Sequence, residues 1–316
     1  MTDGSRLRRS RRTCLAVPGS SLRMMEKAQG LAADQVFLDL EDAVAPSAKE
    51  AARADVVAAL VDGDWADRIR TVRVNATTTP WTLGDVLAVV AGAGHCLDTV
   101  MLPKVSSPSE VQWLDLTLTQ LEHTHGLPVG GIGIDIQIED ARGLLSADAI
   151  AGASPRVEAL HFGPGDFQAS LAMPTLAIGA LNPDYPGDPL HHVYLSLLVA
   201  ARANDVQVLD GPFTAIPDVG GLRAAAERVA ALGFDGKWVL HPTQVDVVNE
   251  VFTPTQDAFD RAQALLDAYE YATSDAGGAR GAVMFDGAMI DRASVEMAGA
   301  IAARGRAAGL HASFQA

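Results

Sequence analysis

Polar residues recur where short apolar runs of this chain end: Ser20, Glu41, Asp42, Arg73, Asn75, Lys104, Glu139, Asp166, Asp210 and His241. Acids dominate the set. Carboxylates gathered in one place repel one another and take up protons unless a cation sits among them, and a divalent metal is the economical resolution. Asp and Glu oxygens with no His or Cys cluster nearby in sequence suit a hard ion, Mg²⁺ or alternatively Mn²⁺, over zinc. Mg²⁺ takes one or two carboxylates and leaves its other positions to water and substrate, so Glu139 and Asp166, which close consecutive runs, are the expected ligands. Either acid alone has an equal claim to be a helix cap or an ion-pair partner; two on neighbouring strands favour the metal.

Arg73, in "VRVNA", carries a planar fork that binds a carboxylate or an oxyanion through two hydrogen bonds, or pairs internally with Glu41 or Asp42. Lys104, in "LPKV", raises a rival chemistry, because a lysine at a strand end can form the Schiff base of a metal-free aldolase. The chain has only four lysines, Lys27, Lys49, Lys104 and Lys237, so Lys104 is not incidental. The acids around it favour an internal charge partner.

Such residues need a frame that brings distant strand ends together. Apolar or β-branched runs at 13–19, 35–41, 70–75, 99–105, 131–139, 159–166, 206–213 and 237–242 are each followed by a helical pattern. Alternation of this kind demands parallel strands covered by helices. Eight units in about 250 residues is the size of a (β/α)8 TIM barrel, an α/β fold whose sites lie at the carboxyl ends of its strands. A doubly wound open sheet is the runner-up, but no GxGxxG follows the first strand. The reading divides the chain into a basic N-terminal tail, 1–12, a TIM-barrel catalytic domain, 13–274, and a C-terminal segment, 275–316. In that last segment a helical lid follows a hinge-like linker marked by Gly277, Gly278 and Gly281.

With 316 residues, 48% of them hydrophobic, the chain can bury a large core. Its net charge of −15 disfavours nucleic acid and anionic membranes, so an anionic small ligand needs a local basic site. No apolar run is long enough to cross a bilayer. Cys14 and Cys96 are the only cysteines, which rules out a disulfide scaffold and fits a cytoplasmic location. Arg6, Arg8, Arg9, Arg11 and Arg12 suggest an export signal or a nucleic-acid arm at first sight. The apolar segment after them, "CLAV", is too short for a signal peptide, and a solvated tail is expected.

Taken in order, "AVPGSSLRMMEKAQGLAADQVFLDLEDAVAPSAKEAAR", "VRVNA", "VMLPKV", "IQIEDARG", "FGPGDFQASLAMP", "DGPF", "GFDGKWVLHPTQ" and "GAVMFDGAMID" resemble the HpcH/HpaI aldolase and citrate lyase β-subunit superfamily. The resemblance is nearest to its CoA-ester lyases of the malyl-CoA lyase type, and the segments run from about residue 14 to 291. It implies Mg²⁺-dependent reversible Claisen chemistry, in which a hydroxyacyl-CoA is cleaved to acetyl-CoA or propionyl-CoA and a 2-oxo acid such as glyoxylate. Under it Glu139 and Asp166 match the metal ligands, Arg73 the residue that binds the oxo acid and steadies the enolate, and Glu41 and Asp42 an acidic pair behind the metal's waters. Asp291 matches a catalytic carboxylate on the lid, often delivered by a neighbouring subunit. A homo-oligomer, trimer or hexamer, is implied.

Coenzyme A, as part of the substrate, requires basic contacts. Arg23 and Lys27, four residues apart on one helix face, are the expected phosphate contacts, with Ser20 a helper and the Pro212 backbone facing the pantetheine arm. Asp140, directly after Glu139, departs from the Thr or Ser usual there and adds a carboxylate near the metal. Alternative readings are a malyl-CoA thioesterase or malate synthase activity on the same site, a citrate lyase β-subunit, the Schiff-base aldolase through Lys104, and a non-catalytic CoA-binding protein.

Overall fold

The computed structural model describes residues 9–182 and 184–313; Arg6 and Arg8 lie outside them. Its first unit runs in order through β1 (Thr13–Pro18), α1 (Leu22–Gln29), β2 (Gln35–Asp39), α2 (Lys49–Asp62), β3 (Ile69–Arg73), α3 (Thr82–Ala93), β4 (Thr99–Leu102), α4 (Pro108–His125) and β5 (Gly133–Ile138). It continues with α5 (Ala141–Leu145), α6 (Ala147–Ala151), β6 (Val157–Phe162), α7 (Pro164–Ser170), α8 (His191–Ala203), β7 (Gln207–Asp210), α9 (Val219–Leu232), β8 (Gly236–Val239) and α10 (Pro242–Phe252). The eight strands are parallel, follow chain order around a closed barrel, and meet where β1 pairs with β8. This is the expected (β/α)8 TIM barrel.

Strand alternation builds two different surfaces. Val36 and Leu38 of β2, Val72 of β3, and Ile134, Ile136 and Ile138 of β5 join the apolar layer shared with the helices. Their neighbours, one residue away along each strand, face the opposite side because side chains alternate across a strand. That inner side holds Phe37, Met101 and Trp238, and with them Gln35, Asp39, Thr71, Arg73, Asp135 and Gln137, all buried. The barrel interior is therefore largely polar. The strands also end earlier than the apolar runs do, so Glu41, Lys104 and Glu139 sit just beyond them on the loops at the carboxyl rim, and Asp166 in the first turn of α7.

At the amino end of the barrel the expected solvated tail is not what residues 9–12 form. Arg11 is 1% exposed and its Nη2 donates to Glu158 at 2.7 Å and reaches Asp135 at 3.5 Å. Arg9 bonds Asp98 and Glu158, and Arg12 bonds Asp34. A guanidinium of this kind is the counter-charge that a polar barrel interior needs, so these arginines plug its floor.

A second compact unit begins at Thr253, not at residue 275. It comprises α11 (Gln256–Thr273), β9 (Val283–Phe285), β10 (Ala288–Ile290) and α12 (Arg292–Ala307). The boundary shifts because α11 has its own partner: Phe259 and Ala262 pack against Ala298 and Ala302 of α12, and the Phe259 ring fills the space a side chain at Gly305 would occupy. Part of the presumed linker is an antiparallel hairpin whose turn residues, Asp286 and Gly287, both have positive φ, the twist that a tight two-residue turn requires. No helix among the described residues is long and apolar enough to cross a membrane.

Candidate active site

The site is assembled from the rim upward by register. Asp39 and Arg73 are partners across β2 and β3, so their side chains leave the sheet on the same side. Arg73 Nε and Nη2 donate to Asp39 Oδ1 and Oδ2, each at 2.8 Å, a two-point clamp between side chains 7% and 3% exposed. Burial opposes the Arg73 charge, but Asp39 and Glu41 outweigh it and raise its pKa. Burial likewise penalises the Asp39 carboxylate, yet Arg73 and the backbone N–H groups of Glu41 and Ala43 hold its pKa below the usual range. The remaining edge of the guanidinium, Nη1, lies 3.1 Å from Glu41 Oε2 and donates to Gln137 Oε1 at 3.2 Å. Gln137 in turn donates from Nε2 to Glu139 Oε2 at 2.6 Å.

Lys104 closes the ring from the other side. Its Nζ donates to Glu41 Oε1 at 2.6 Å and Asp42 Oδ1 at 3.3 Å and lies 3.9 Å from Asp166 Oδ2, while its backbone N–H donates to Glu139 Oε1 at 2.7 Å. Burial would depress this ammonium, but the Glu41 hydrogen bond and the charges of Glu41, Asp42 and Asp166 raise it. A Schiff base starts from the neutral amine, so these surroundings work against that rival chemistry and fit the internal charge partner.

Glu41, Asp42, Arg73, Glu139 and Asp166, drawn from four different strand ends, are thus brought together. Asp42, Arg73, Glu139 and Asp166 border a cavity of about 360 Å³, which Pro212 also lines. One wall is aromatic: the Phe37 and Trp238 rings lie 4.5 Å apart, and the Arg73 guanidinium sits 5.4 Å and 5.5 Å from their centres. Trp238 is fixed from below, because its Nε1–H donates to His161 Nδ1 at 2.7 Å and the opposite nitrogen, Nε2, faces Asp135 Oδ2 at 3.3 Å. Burial pushes the His161 pKa down, which suits an imidazole used as a neutral acceptor. A second cavity of about 300 Å³, lined by Lys49, Trp81 and Lys104, shares Asp42 with the first.

A divalent cation fits this donor set. Glu139 is 2% exposed, and burial, then the charges of Glu41 and Asp166, push its pKa well above the usual range, as expected for acids short of positive charge. Gly163, at the end of β6, leaves room for it: a Cβ there would stand 2.5 Å from Glu139 Cβ and 2.9 Å from Gln137 Nε2. Among the described residues no three His, Cys, Asp or Glu side chains converge as a ready cage. An ion held by two carboxylates and otherwise by water and substrate is the habit of Mg²⁺.

The other expected residues are placed elsewhere. Ser20, Arg23 and Lys27 are exposed at the start of α1 and along it, with no ion pair for either base among the described residues. Asp291 is the N-cap of α12 in the second unit; its Oδ1 accepts from Ala293 N at 3.0 Å and Ser294 N at 3.2 Å, and its Oδ2 takes no hydrogen bond among the described residues. Asp140 caps α5 through Gly143 N at 2.6 Å, a local reason for a carboxylate that the sequence reading set beside the metal. Gln137, His161 and Trp238, which with Asp39 carry the site's internal wiring, were not singled out. For Gln137 the signal is present in "GIDIQIE", where isoleucine alternates with Asp135, Gln137 and Glu139.

A family model described as HpcH/HpaI aldolase/citrate lyase matches residues 12–242. An L-malyl-CoA/β-methylmalyl-CoA lyase of Cereibacter sphaeroides is 37% identical over 299 residues, covering 92% of this chain and 93% of the relative. A (3S)-malyl-CoA thioesterase from the same species is 36% identical over 281 residues, with 89% of each chain covered. Among solved structures, CitE of Mycobacterium tuberculosis in complex with magnesium, acetoacetate and coenzyme A superposes with a TM-score of 0.73 at 30% identity, covering 95% of this chain and 99% of that one.

Proposed function

This chain belongs to the HpcH/HpaI aldolase/citrate lyase family, and from that premise we propose that it is a Mg²⁺-dependent CoA-ester lyase. It cleaves malyl-CoA, β-methylmalyl-CoA or a related citramalyl-CoA, reversibly, to acetyl-CoA or propionyl-CoA and a 2-oxo acid such as glyoxylate. The observation that carries this reading is the convergence of Glu139, Asp166 and the Arg73 guanidinium on one cavity with an aromatic wall. A divalent ion held by Glu139 and Asp166 supplies a Lewis acid for the oxygens of the oxo acid.

The chain's own residues do the rest. Arg73 presents a fixed positive charge to the oxygen that gains charge as the enolate forms, and its clamp on Asp39 keeps that charge in place without reorganisation. Glu41 and Asp42, steadied by Lys104, orient water beside the acids. Asp291 takes a proton from the acyl-CoA methyl or methylene in the condensation direction and returns it in cleavage. Its cap leaves Oδ2 available for that transfer. Arg23 and Lys27, with Ser20, meet the CoA phosphates, and Pro212 faces the pantetheine arm. A homo-oligomer, trimer or hexamer, and a cytoplasmic location belong with this reading.

The thioesterase outcome is the second reading, favoured by the 36% identical thioesterase relative. Incubation with Mg²⁺ and a panel of hydroxyacyl-CoAs separates the two when oxo acid and free thiol are followed independently. Oxo acid without thiol is the expected result. Thiol without oxo acid would establish hydrolysis, and neither product from any ester would overturn both. Asp291→Ala is expected to abolish oxo-acid release while CoA binding persists.

A further inference from the structure

Among the described residues Lys104 alone touches Glu41, Asp42, Glu139 and Asp166 together. Its ammonium reaches Glu41, Asp42 and Asp166, and its peptide N–H holds Glu139. It does so with φ at +53°, in the left-handed region that a side chain with a Cβ seldom adopts. The two cations that form ion pairs with these acids differ in kind. Arg73 is buried and locked by its two-point bond to Asp39. Lys104, 35% exposed, holds a compact ammonium on a flexible stem, so its contacts exchange readily. An ammonium and a divalent ion draw on the same carboxylate lone pairs and repel each other, which makes Lys104 a competitor for the ion.

From this geometry we infer that Lys104 is a positioning residue that keeps the rim acids assembled yet weakly receptive to metal alone, so that the divalent ion is bound tightly only together with the 2-oxo acid. The oxo acid brings two further oxygens to the ion and a negative charge that the ammonium can accept in exchange. The inference rests on the metal-dependent reading above and adds the order in which the site fills. It also accounts for a lysine, not an arginine, at this position: a planar fork locked on Glu41 and Asp42 would not yield.

The test uses Mn²⁺ as the probe, with binding followed by the electron paramagnetic resonance of the free ion, in the absence of any CoA ester so that no turnover occurs. Native protein is expected to bind Mn²⁺ at least about tenfold more tightly with glyoxylate than without it. Lys104→Met is expected to bind Mn²⁺ alone about tenfold more tightly than native protein, the scale of removing one unit charge from a partly hydrated site, and to gain less from glyoxylate. Lys104→Arg keeps the charge and is expected to bind Mn²⁺ alone no more tightly than native protein. Native affinity indifferent to glyoxylate overturns the inference, as does a Lys104→Met protein that binds Mn²⁺ no more tightly than native. If Lys104→Met does not fold, the native comparison decides alone. Glu139→Gln, expected to lose Mn²⁺ binding in every background, tests the metal reading separately; lyase activity absent beside intact coupling would refute the proposed reaction but not the inference.

Discussion

Asp39→Asn is the sharpest perturbation of the clamp on Arg73. Asp39 accepts four hydrogen bonds: Arg73 Nε and Glu41 N on Oδ1, and Arg73 Nη2 and Ala43 N on Oδ2. The amide keeps one acceptor and turns the other into a donor facing two donors. Removing one partner of a buried ion pair costs about 3–5 kcal/mol. Glu41, 3.1 Å from Arg73 Nη1, remains as a counter-charge, which places the expected loss at the lower end, about 3 kcal/mol. That corresponds to a fall in melting temperature of roughly 6–12 °C for a unit of this size. Urea unfolding followed by tryptophan fluorescence measures it. Because Arg73 would no longer be held where charge develops, kcat/KM should fall by about a hundredfold. A stability loss below about 1 kcal/mol with turnover unchanged would refute the argument that this clamp fixes the site.

Three further outcomes follow from neighbouring contacts. Trp238→Phe removes the donor to His161 Nδ1 and leaves a buried acceptor unpaired, so urea unfolding should show a loss of about 1–3 kcal/mol; the loosened wall beneath Arg73 should raise KM for glyoxylate more than KM for acetyl-CoA, and equal changes in the two would count against it. Gly163→Ala forces Glu139 and Gln137 to move and should weaken Mn²⁺ binding, whereas Gly165→Ala meets only the flexible end of Ile178, at 3.2 Å, and should leave it unchanged; calorimetry on both variants decides. Burial opposes ionisation of Asp135, but Arg11 and surrounding hydrogen bonds hold its pKa at about 2. A depressed carboxylate stabilises the fold above its unfolded value and ceases to do so as pH falls from about 4 to about 2, an effect of about 2 kcal/mol. Arg11→Met should therefore move the acid-unfolding midpoint upward, and a midpoint equal to the native one speaks against the plugged floor.

The barrel was legible because periodicity reports what faces what. The alternation of strand and helix patterns required parallel strands, and the closed eight-stranded ring is what that requirement produces at this length. Residues at strand ends were found for the same reason: a polar side chain that ends an apolar run has only the rim to go to. What was less visible was polarity inside the strands. In "QVFLDLE" and "GIDIQIE" the apolar residues mark the helix-facing side, and the intervening Gln35, Asp39, Asp135 and Gln137 face inward. A reading that takes the continuous runs as uniformly buried passes over Gln35, Asp135 and Gln137. The N-terminal arginines were misplaced by the same omission, since Arg11 has a buried partner only once Asp135 and Glu158 are seen to face inward. The unit boundary after Phe252 depends on α11 pairing with α12, a long-range choice that local pattern does not encode.

Charge along the barrel explains why the reactive end is where it is. At the amino end Arg11 and Arg9 answer Asp135 and Glu158 at close range. At the carboxyl rim, among the described residues, Asp39, Glu41, Asp42, Glu139 and Asp166 form ion pairs with Arg73 and Lys104 alone, Asp39 takes most of Arg73, and Lys49 adds its charge from the Leu40 and Glu41 carbonyls. Negative charge is thus left unbalanced at one end of an otherwise neutralised interior. Such an excess is costly in a buried setting unless a cation relieves it, and it repels an oxo acid or a CoA ester as long as it persists. The rim is consequently unreceptive to an anion arriving alone, and a divalent ion that enters together with the oxo acid offsets most of the excess. An acidic chain gains selectivity from this arrangement, because an anion that cannot itself ligate the ion finds no reason to stay.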